Sequence, residues 1–402
     1  MSLKTAESVC IGHPDKLCDL ICETILSNIL FEDPAARVAV EAAAKGRHIY
    51  IFGEITTKTR LYLKEWTRKA LSKAGYNPRS FHIHLNITRQ SADIDYGVTQ
   101  SYESRTTQDK TAHALLGAGD QGTVYGYATN ETKEYLPAPL VIAHNICRRL
   151  DEARTKGLIT GIRSDGKAQV TIRYDKNNQP AEVTAIVVSV QHLPSKKRAE
   201  LTRELRSLVI GPALGDIPLA EDAIVLINPA GPFITGGPEA DSGLSGRKLA
   251  VDTYGGLGPH GGGAFAGKDP SKVDRTAALM ARHIARSLVE TDSAQEATVA
   301  ISYAIGKADP VAFTVNTHGT GILEDSVLTE ICASIFPLRP SAMIEFLDLR
   351  RWSRYDQAGT YGYFTTYSIW ETYSHLTRAL RKEVQDRAHP EFAHLSTHPS
   401  GL

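Results

Sequence analysis

GGPEADSGLSGRKLAVDTYGGLGPHGGGAFAGKDPSKVDRTAALMAR, Gly236 to Arg282, is the stretch from which the fold and the chemistry are read. Lys248–Tyr254 (KLAVDTY) alternates well enough to predict a strand. The glycines from Gly255 to Gly267 cannot build a core, but they let backbone N–H groups approach a ligand closely. Asp269 is then expected as an N-cap and Pro270 as the first helical residue. Val273, Ala277, Met280, Ala281, Ile284 and Leu288 follow at helical spacing. A helix N-terminus beside a glycine loop suits phosphate.

Arg247, Lys248, Lys268 and Lys272 supply cations there, and Asp241, Asp269 and Asp274 supply carboxylates. Cations alone would suit any anion. Cations with carboxylates suit a polyphosphate carrying Mg²⁺, because Mg²⁺ is held by one or two carboxylates plus substrate oxygens. A solvated, salt-bridged turn is the plainer reading of mixed charge, but it leaves the glycines without a purpose. Gly262–Lys268 spells GxxxxGK, yet Asp269 stands where a P-loop needs a hydroxyl for Mg²⁺, which argues against an ordinary P-loop NTPase.

Outside this stretch, 402 residues suffice for two or three domains. Lys+Arg and Asp+Glu both number 45, so no bulk field draws nucleic acid or a membrane surface, and phosphate affinity must be local. No apolar run approaches the ~18–20 residues that span a bilayer, and the first residues lack the apolar region of a signal peptide. Cys10, Cys18, Cys22, Cys147 and Cys332 form no CxxC pair and are expected as buried free thiols in a reducing, cytoplasmic setting.

Along the chain, Pro14 to Leu30 reads as a helix with Leu17, Ile21, Ile25 and Ile29 as its apolar stripe, entered through His13, with Asp15 and Lys16 in its first turn. His13 reads equally as a simple cap or as part of a phosphate site. Residues 37–42 and 48–55 read as a strand pair, 61–73 as a helix and 81–87 as a half-buried strand whose His82 and His84 face outward. Glu41 and Glu54 fall within strand patterns, where a carboxylate needs a partner or solvent. Residues 97–116 are polar and aperiodic, as in a lid or a disordered segment. A second glycine cluster carries Asp120. Residues 139–156 read as a helix, and 169–174 with 182–191 as a hairpin, with Asp165 and Lys167 just ahead of it. Residues 196–210 read as a helix with a solvated basic face, 298–304 and 311–315 as strands, and 325–335 and 340–349 as helices. The tail from His389 reads as frayed, and no internal repeat is visible in the sequence.

Four segments taken together carry a resemblance: GHPDK (Gly12–Lys16), GEIT (Gly53–Thr56), GAGDQGxxxGYATNET (Gly117–Thr132) and the opening stretch through GGGAFAGKDPSKVDR (Gly261–Arg275). From Glu7 to about Arg381 the chain resembles the S-adenosylmethionine synthetase (methionine adenosyltransferase) family. The resemblance implies an α+β fold of three similar sheet-plus-helix domains related by a pseudo-threefold. In linear terms these are an N-terminal segment 1–100, a mobile active-site loop 101–116, a central segment 117–232 and a C-terminal segment 233–402, with interleaved structural domains. It implies a homodimer or dimer of dimers with active sites between subunits, and a reaction of ATP with L-methionine in which tripolyphosphate leaves C5′ whole and is then hydrolysed. Two Mg²⁺ ions and a K⁺ are implied cofactors.

Carried over by motif, His13 would sit by the oxygen leaving C5′. Asp15 and Asp274 would bind Mg²⁺, and Glu41 would serve K⁺. Lys16, Lys167, Arg247, Lys248 and Lys268 would hold phosphates. Glu54, Asp120, Asp241 and Lys272 would help place methionine or the nucleoside, while Asp165, Phe233 and Ala264 match ATP contacts. Tyr96 stands where the family commonly has a glutamine beside methionine, Pro232 replaces a common arginine, and Ile11 a common glutamate. These departures leave the triphosphate machinery whole and predict tolerance of methionine analogues with larger S-substituents. Two other readings are a small-molecule kinase, which would release ADP, and a silent regulatory subunit, which has no need to keep this set of charges.

Overall fold

The computed structural model describes residues 2–89, 100–106, 109, 111, 113–352, 354–364 and 368–389. Tyr96 and the tail from residue 390 lie outside the described residues.

In chain order the elements are β1 (Ser2–Val9), α1 (Pro14–Glu32), β2 (Arg37–Lys45), β3 (His48–Thr56), α2 (Leu63–Lys73), β4 (His82–Thr88), α3 (Tyr102–Thr106), β5 (Gly122–Thr129), α4 (Ala138–Thr155), β6 (Ile162–Tyr174) and β7 (Pro180–His192). Then come α5 (Arg198–Glu204), continued by a π-helical turn to Ile210, β8 (Leu219–Ile227), β9 (Gly243–Leu244), α6 (Leu249–Asp252), α7 (Val273–Glu290), β10 (Glu296–Tyr303), β11 (Ala312–Asn316), α8 (Asp325–Ile335), α9 (Pro340–Phe346) and α10 (His375–Ala388).

Three sheets result, each with its own core and none built from one contiguous segment. The first is ordered β4-β3-β2-β9, the second β1-β6-β7-β8 and the third β11-β10-β5. Helices α1 and α2 cover one face of the first sheet, α4 covers the second and α7 the third. The architecture is α+β. Strict alternation in β2 puts Val38, Val40, Ala42 and Ala44 into the core under α1. Helix α7 is buried on nearly every side, Arg275, Arg282 and His283 included.

Two expectations in the organising stretch are overturned. Lys248–Tyr254 is not a strand: the Asp252 N–H bonds the Lys248 carbonyl and closes the short helix α6. The edge of β2 is already taken at Ala43 and Ala44 by β9, while Val251, Asp252 and Tyr254 are buried elsewhere. Asp269 and Pro270 do not open α7 either, since its cap position is Lys272. The Asp269 carboxylate accepts instead from the Val38 N–H at 2.7 Å and from Lys272 Nζ at 2.5 Å, because Lys268 bridges to Ala39 and draws the chain along β2. The basic residues of 196–210 are not all solvated: Lys196 lies before the helix, buried between Glu200 and Glu204. Asp165 and Lys167 lie within β6 rather than ahead of the hairpin.

The five cysteines are free and buried, as expected. No single helix among the described residues is long and apolar enough to cross a membrane.

Candidate active site

Helix α1 organises the site with an acidic stripe. Asp15, Asp19 and Glu23 recur every four residues on one face and are all buried. Each accepts from the backbone of the glycine-rich stretch: Asp15 from the Leu244 N–H at 3.0 Å, Asp19 from Gly246 at 2.8 Å and Glu23 from Gly267 at 3.4 Å. Each also meets a cation. Lys248 Nζ lies 2.6 Å from Asp15, Lys16 Nζ 3.2 Å from Asp19, and Arg275 grips Glu23 through two nitrogens at 2.8 and 3.0 Å. Asp15 was expected from its motif; Asp19 and Glu23 are the part of the site that motif reading missed. Its signal was present, as carboxylates at i, i+4 and i+8 of an apolar helix.

Around the start of α1 stands the first cluster. The His13 Nδ1 accepts from the Asp15 N–H at 3.2 Å and caps the helix. Burial, then the nearby Lys248 ammonium, lowers the His13 pKa to about 4, and Lys167, Asp15 and Asp241 also act on it electrostatically. The ring is therefore neutral near pH 7, and because Nδ1 is an acceptor its proton sits on Nε2. Burial would raise Asp15, but the Lys248 ammonium and the Leu244 N–H outweigh it and lower its pKa. Arg247 approaches the same carboxylate at 3.7 Å. Behind His13, Gly12 admits no side chain, since a Cβ would lie 2.5 Å from the Ser164 carbonyl oxygen. Asp165 accepts from the Gly237 N–H at 2.7 Å, and burial raises its pKa to about 6. The Phe233 backbone pairs with His192 at the end of β7. A cavity of about 440 Å³ opens here between Tyr76, Ser164, Gln191 and Gly236. A larger one of about 640 Å³, lined by Glu131, Arg148 and Tyr361 among others, touches none of the expected site residues.

The second cluster lies beyond α6. Lys268 Nζ is 2.5 Å from Asp274, and Lys272 pairs with Asp269. Gly263 lies so close to Asp274 that a Cβ would stand 2.3 Å from its Cγ. Ala264 packs against Gly246, which ties this loop to the first cluster. Asp120, exposed just ahead of β5, bonds the N–H of Gln121; the same strand's Thr123 carbonyl lies under Gly261.

The structure thus groups His13, Asp15, Asp165, Lys167, Asp241, Arg247 and Lys248 in one place, and Ala264, Lys268, Lys272 and Asp274 in another. Lys268 meets β2 at Ala39 and Leu244 meets it at Ala43. Those four residues separate the clusters by about 13 Å of strand. Glu41 accepts from Ser245 Oγ, and Glu54 is exposed on β3; both lie on the sheet face that α1 leaves uncovered. Lys16 stands apart. It is 1% exposed, wedged between Asp19 and Asp252. Burial would lower its pKa, but those two carboxylates raise it, so it is a core cation and not a surface one.

Asp15 and Asp274 offer hard carboxylate oxygens of the kind Mg²⁺ takes. Among the described residues no three His, Cys, Asp or Glu side chains converge as a ready metal cage.

Comparison with known proteins agrees along the chain. Residues 1–96 match the S-adenosylmethionine synthetase N-terminal domain, 115–233 its central domain and 235–372 its C-terminal domain. An S-adenosylmethionine synthase of Petrotoga mobilis is 41% identical over 374 residues, covering 90% of this chain and 93% of that protein.

Proposed function

The chain belongs to the S-adenosylmethionine synthetase family, and from that membership we propose how its residues make S-adenosylmethionine from ATP and L-methionine. The methionine sulfur attacks C5′ with a lone pair, the C5′–O bond breaks and tripolyphosphate leaves with the electrons. Thioether sulfur has no proton to lose, so no general base is needed. The demand is for positive charge and hydrogen-bond donors, preorganised where the leaving charge develops.

The observation that carries this reading is the pairing of each candidate metal carboxylate with a lysine, Asp15 with Lys248 and Asp274 with Lys268. Bound Mg²⁺ would neutralise phosphate oxygens and take these carboxylates as ligands. The two lysines would then turn to phosphate, joined by Lys167 and Arg247. Neutral His13 donates from Nε2 to the oxygen leaving C5′. Asp165, Phe233 and Ala264 serve the nucleotide, and Glu54, Asp120, Asp241 and Lys272 the methionine or ribose. Lys16 acts from beneath by compensating Asp19, which holds Gly246, without touching phosphate. Glu41 would be the K⁺ ligand. The same cations hold tripolyphosphate for hydrolysis to pyrophosphate and phosphate.

Because the two clusters are separated along β2, the reading includes a homodimer in which the first cluster of one subunit meets the second of its partner. The uncovered face of the first sheet, with Tyr50 and Phe52 exposed, supports it. Tyr96, Pro232 and Ile11 support tolerance of S-ethyl homocysteine; a strong kcat/KM preference for methionine would count against that part. For the reaction itself, incubation with ATP, methionine, Mg²⁺ and K⁺ should yield the sulfonium product by mass spectrometry, with pyrophosphate and phosphate. Release of ADP would overturn it.

A further inference from the structure

The backbone that carries His13 cannot support itself. In Cys10–His13 the side chains of Cys10, Ile11 and Gly12 offer no strong acceptor, yet this segment must hold a catalytic ring in register. Its own bonds are few: the Cys10 N–H reaches the Gly166 carbonyl at 2.9 Å, and the His13 N–H returns to the Cys10 carbonyl at 3.0 Å. The remaining support comes from outside. The Ile11 N–H donates to Asp151 Oδ2 at 3.0 Å, from the last turns of α4, and the Gly12 carbonyl accepts from the Tyr76 hydroxyl at 2.5 Å.

Asp151 is itself fixed. Tyr361, from the C-terminal part of the chain, donates its hydroxyl to the same Oδ2 at 2.9 Å, and Arg154 approaches Oδ1 at 3.5 Å. The Arg154 guanidinium lies where a side chain on Gly75 would be, 2.4 Å from a Cβ built there, so the residue next to Tyr76 is packed against the arginine that holds Asp151. Asp151 is buried, and burial raises its pKa while the Ile11 amide, the Tyr361 hydroxyl and the Arg154 guanidinium act the other way. Three distant parts of the chain, through Tyr76, Asp151 and Tyr361, thus meet at the two residues before His13.

We propose that Asp151 is a positioning residue for His13: its carboxylate pins the Ile11 amide, sets the height of the His13 ring over the substrate and is oriented by Tyr361. The inference rests on the adenosyltransfer reading above, with His13 as donor to the leaving oxygen. It reaches beyond that reading by assigning a catalytic consequence to a group that touches no substrate.

Asp151→Ala, Asp151→Asn and Tyr361→Phe are compared with the wild-type chain, using ATP and methionine as substrates and amide hydrogen exchange at Ile11. Asp151→Ala should lower kcat on the order of 10- to 100-fold, as misplacement of a catalytic group does, while KM for methionine stays within about twofold. The Ile11 amide should exchange faster. Asp151→Asn, whose carboxamide oxygen still accepts from Ile11, should recover most of kcat. Tyr361→Phe should show a smaller loss of the same kind, which keeps the test open if Asp151→Ala folds poorly. Unchanged kcat in Asp151→Ala despite a freed Ile11 amide would overturn the proposal. So would an Asp151→Asn variant as impaired as Asp151→Ala. Absence of S-adenosylmethionine from the wild-type chain would instead sink the reading beneath it, and the exchange measurement stands apart from both.

Discussion

His13 shows how little a residue's identity says until its neighbours are known. In the sequence it is either a cap or a catalytic group; in the structure it caps α1 through Nδ1, and that leaves Nε2–H free to donate. Its pKa, lowered to about 4, means kcat should show no inflection near the ordinary histidine value of about 6.5. The Nδ1 acceptor that caps α1 is lost only as pH approaches 4. The same shift has a sign for stability. The unfolded chain takes up a proton near 6.5 that the folded chain refuses, so His13 costs stability as pH falls from 6.5 towards 4. His13→Asn keeps a donor and should retain more kcat than His13→Ala, which single-turnover rates would resolve. Lys268→Met should cost roughly 10²-fold in kcat with little change in methionine KM, as loss of charge stabilisation does. Equal losses in both constants would remove Lys268 from the leaving-group set.

At the scale of elements, the apolar stripe of α1 was legible from its spacing, and so was the pairing of β2 with β3. The acidic stripe shows in the chain as spacing only, because a carboxylate's burial is hidden until its partner is known; Arg275 and Glu23 are 252 apart in sequence. The strands β1 and β8 carry no clean alternation, since each lies at an edge of its sheet and mixes exposed and buried positions. The grouping of His13, Asp15 and Lys248, and of Lys268 with Asp274, followed the motifs, whereas the bend of Lys248–Tyr254 into α6 depends on what already fills the edge of β2. Burial decides the energetics as well. Glu23 and Arg275 are both fully buried, so Glu23→Gln leaves a guanidinium poorly matched and should cost about 3–5 kcal/mol. That would appear as a lower denaturant midpoint with unchanged slope. Breaking the more exposed pair of Lys73 and Asp356 should cost about 1 kcal/mol or less.

For the whole molecule the question is whether one chain holds a working site. Its two cation clusters sit at different points along β2, and Glu41 and Glu54 look out from a sheet face carrying Tyr50, Phe52 and a ring stack of His48, Tyr50 and His84. A sheet covered on one side only, with Tyr50 and Phe52 exposed on the other, calls for a second layer. If that layer is a twofold-related copy, each site draws His13, Asp15 and Lys248 from one subunit and Lys268 and Asp274 from the other. Complementation then has a definite outcome. His13→Ala and Lys268→Met chains, each inactive alone, are mixed under conditions that exchange subunits. In a mixed dimer one site collects both lesions and the other collects neither. Half the dimers are mixed at equal input, so activity should return to about a quarter of wild type. A site contained within one chain predicts no recovery at any ratio. Phe52→Lys, placing a charge on that sheet face, should yield a monomer by light scattering and lose turnover without losing its fold.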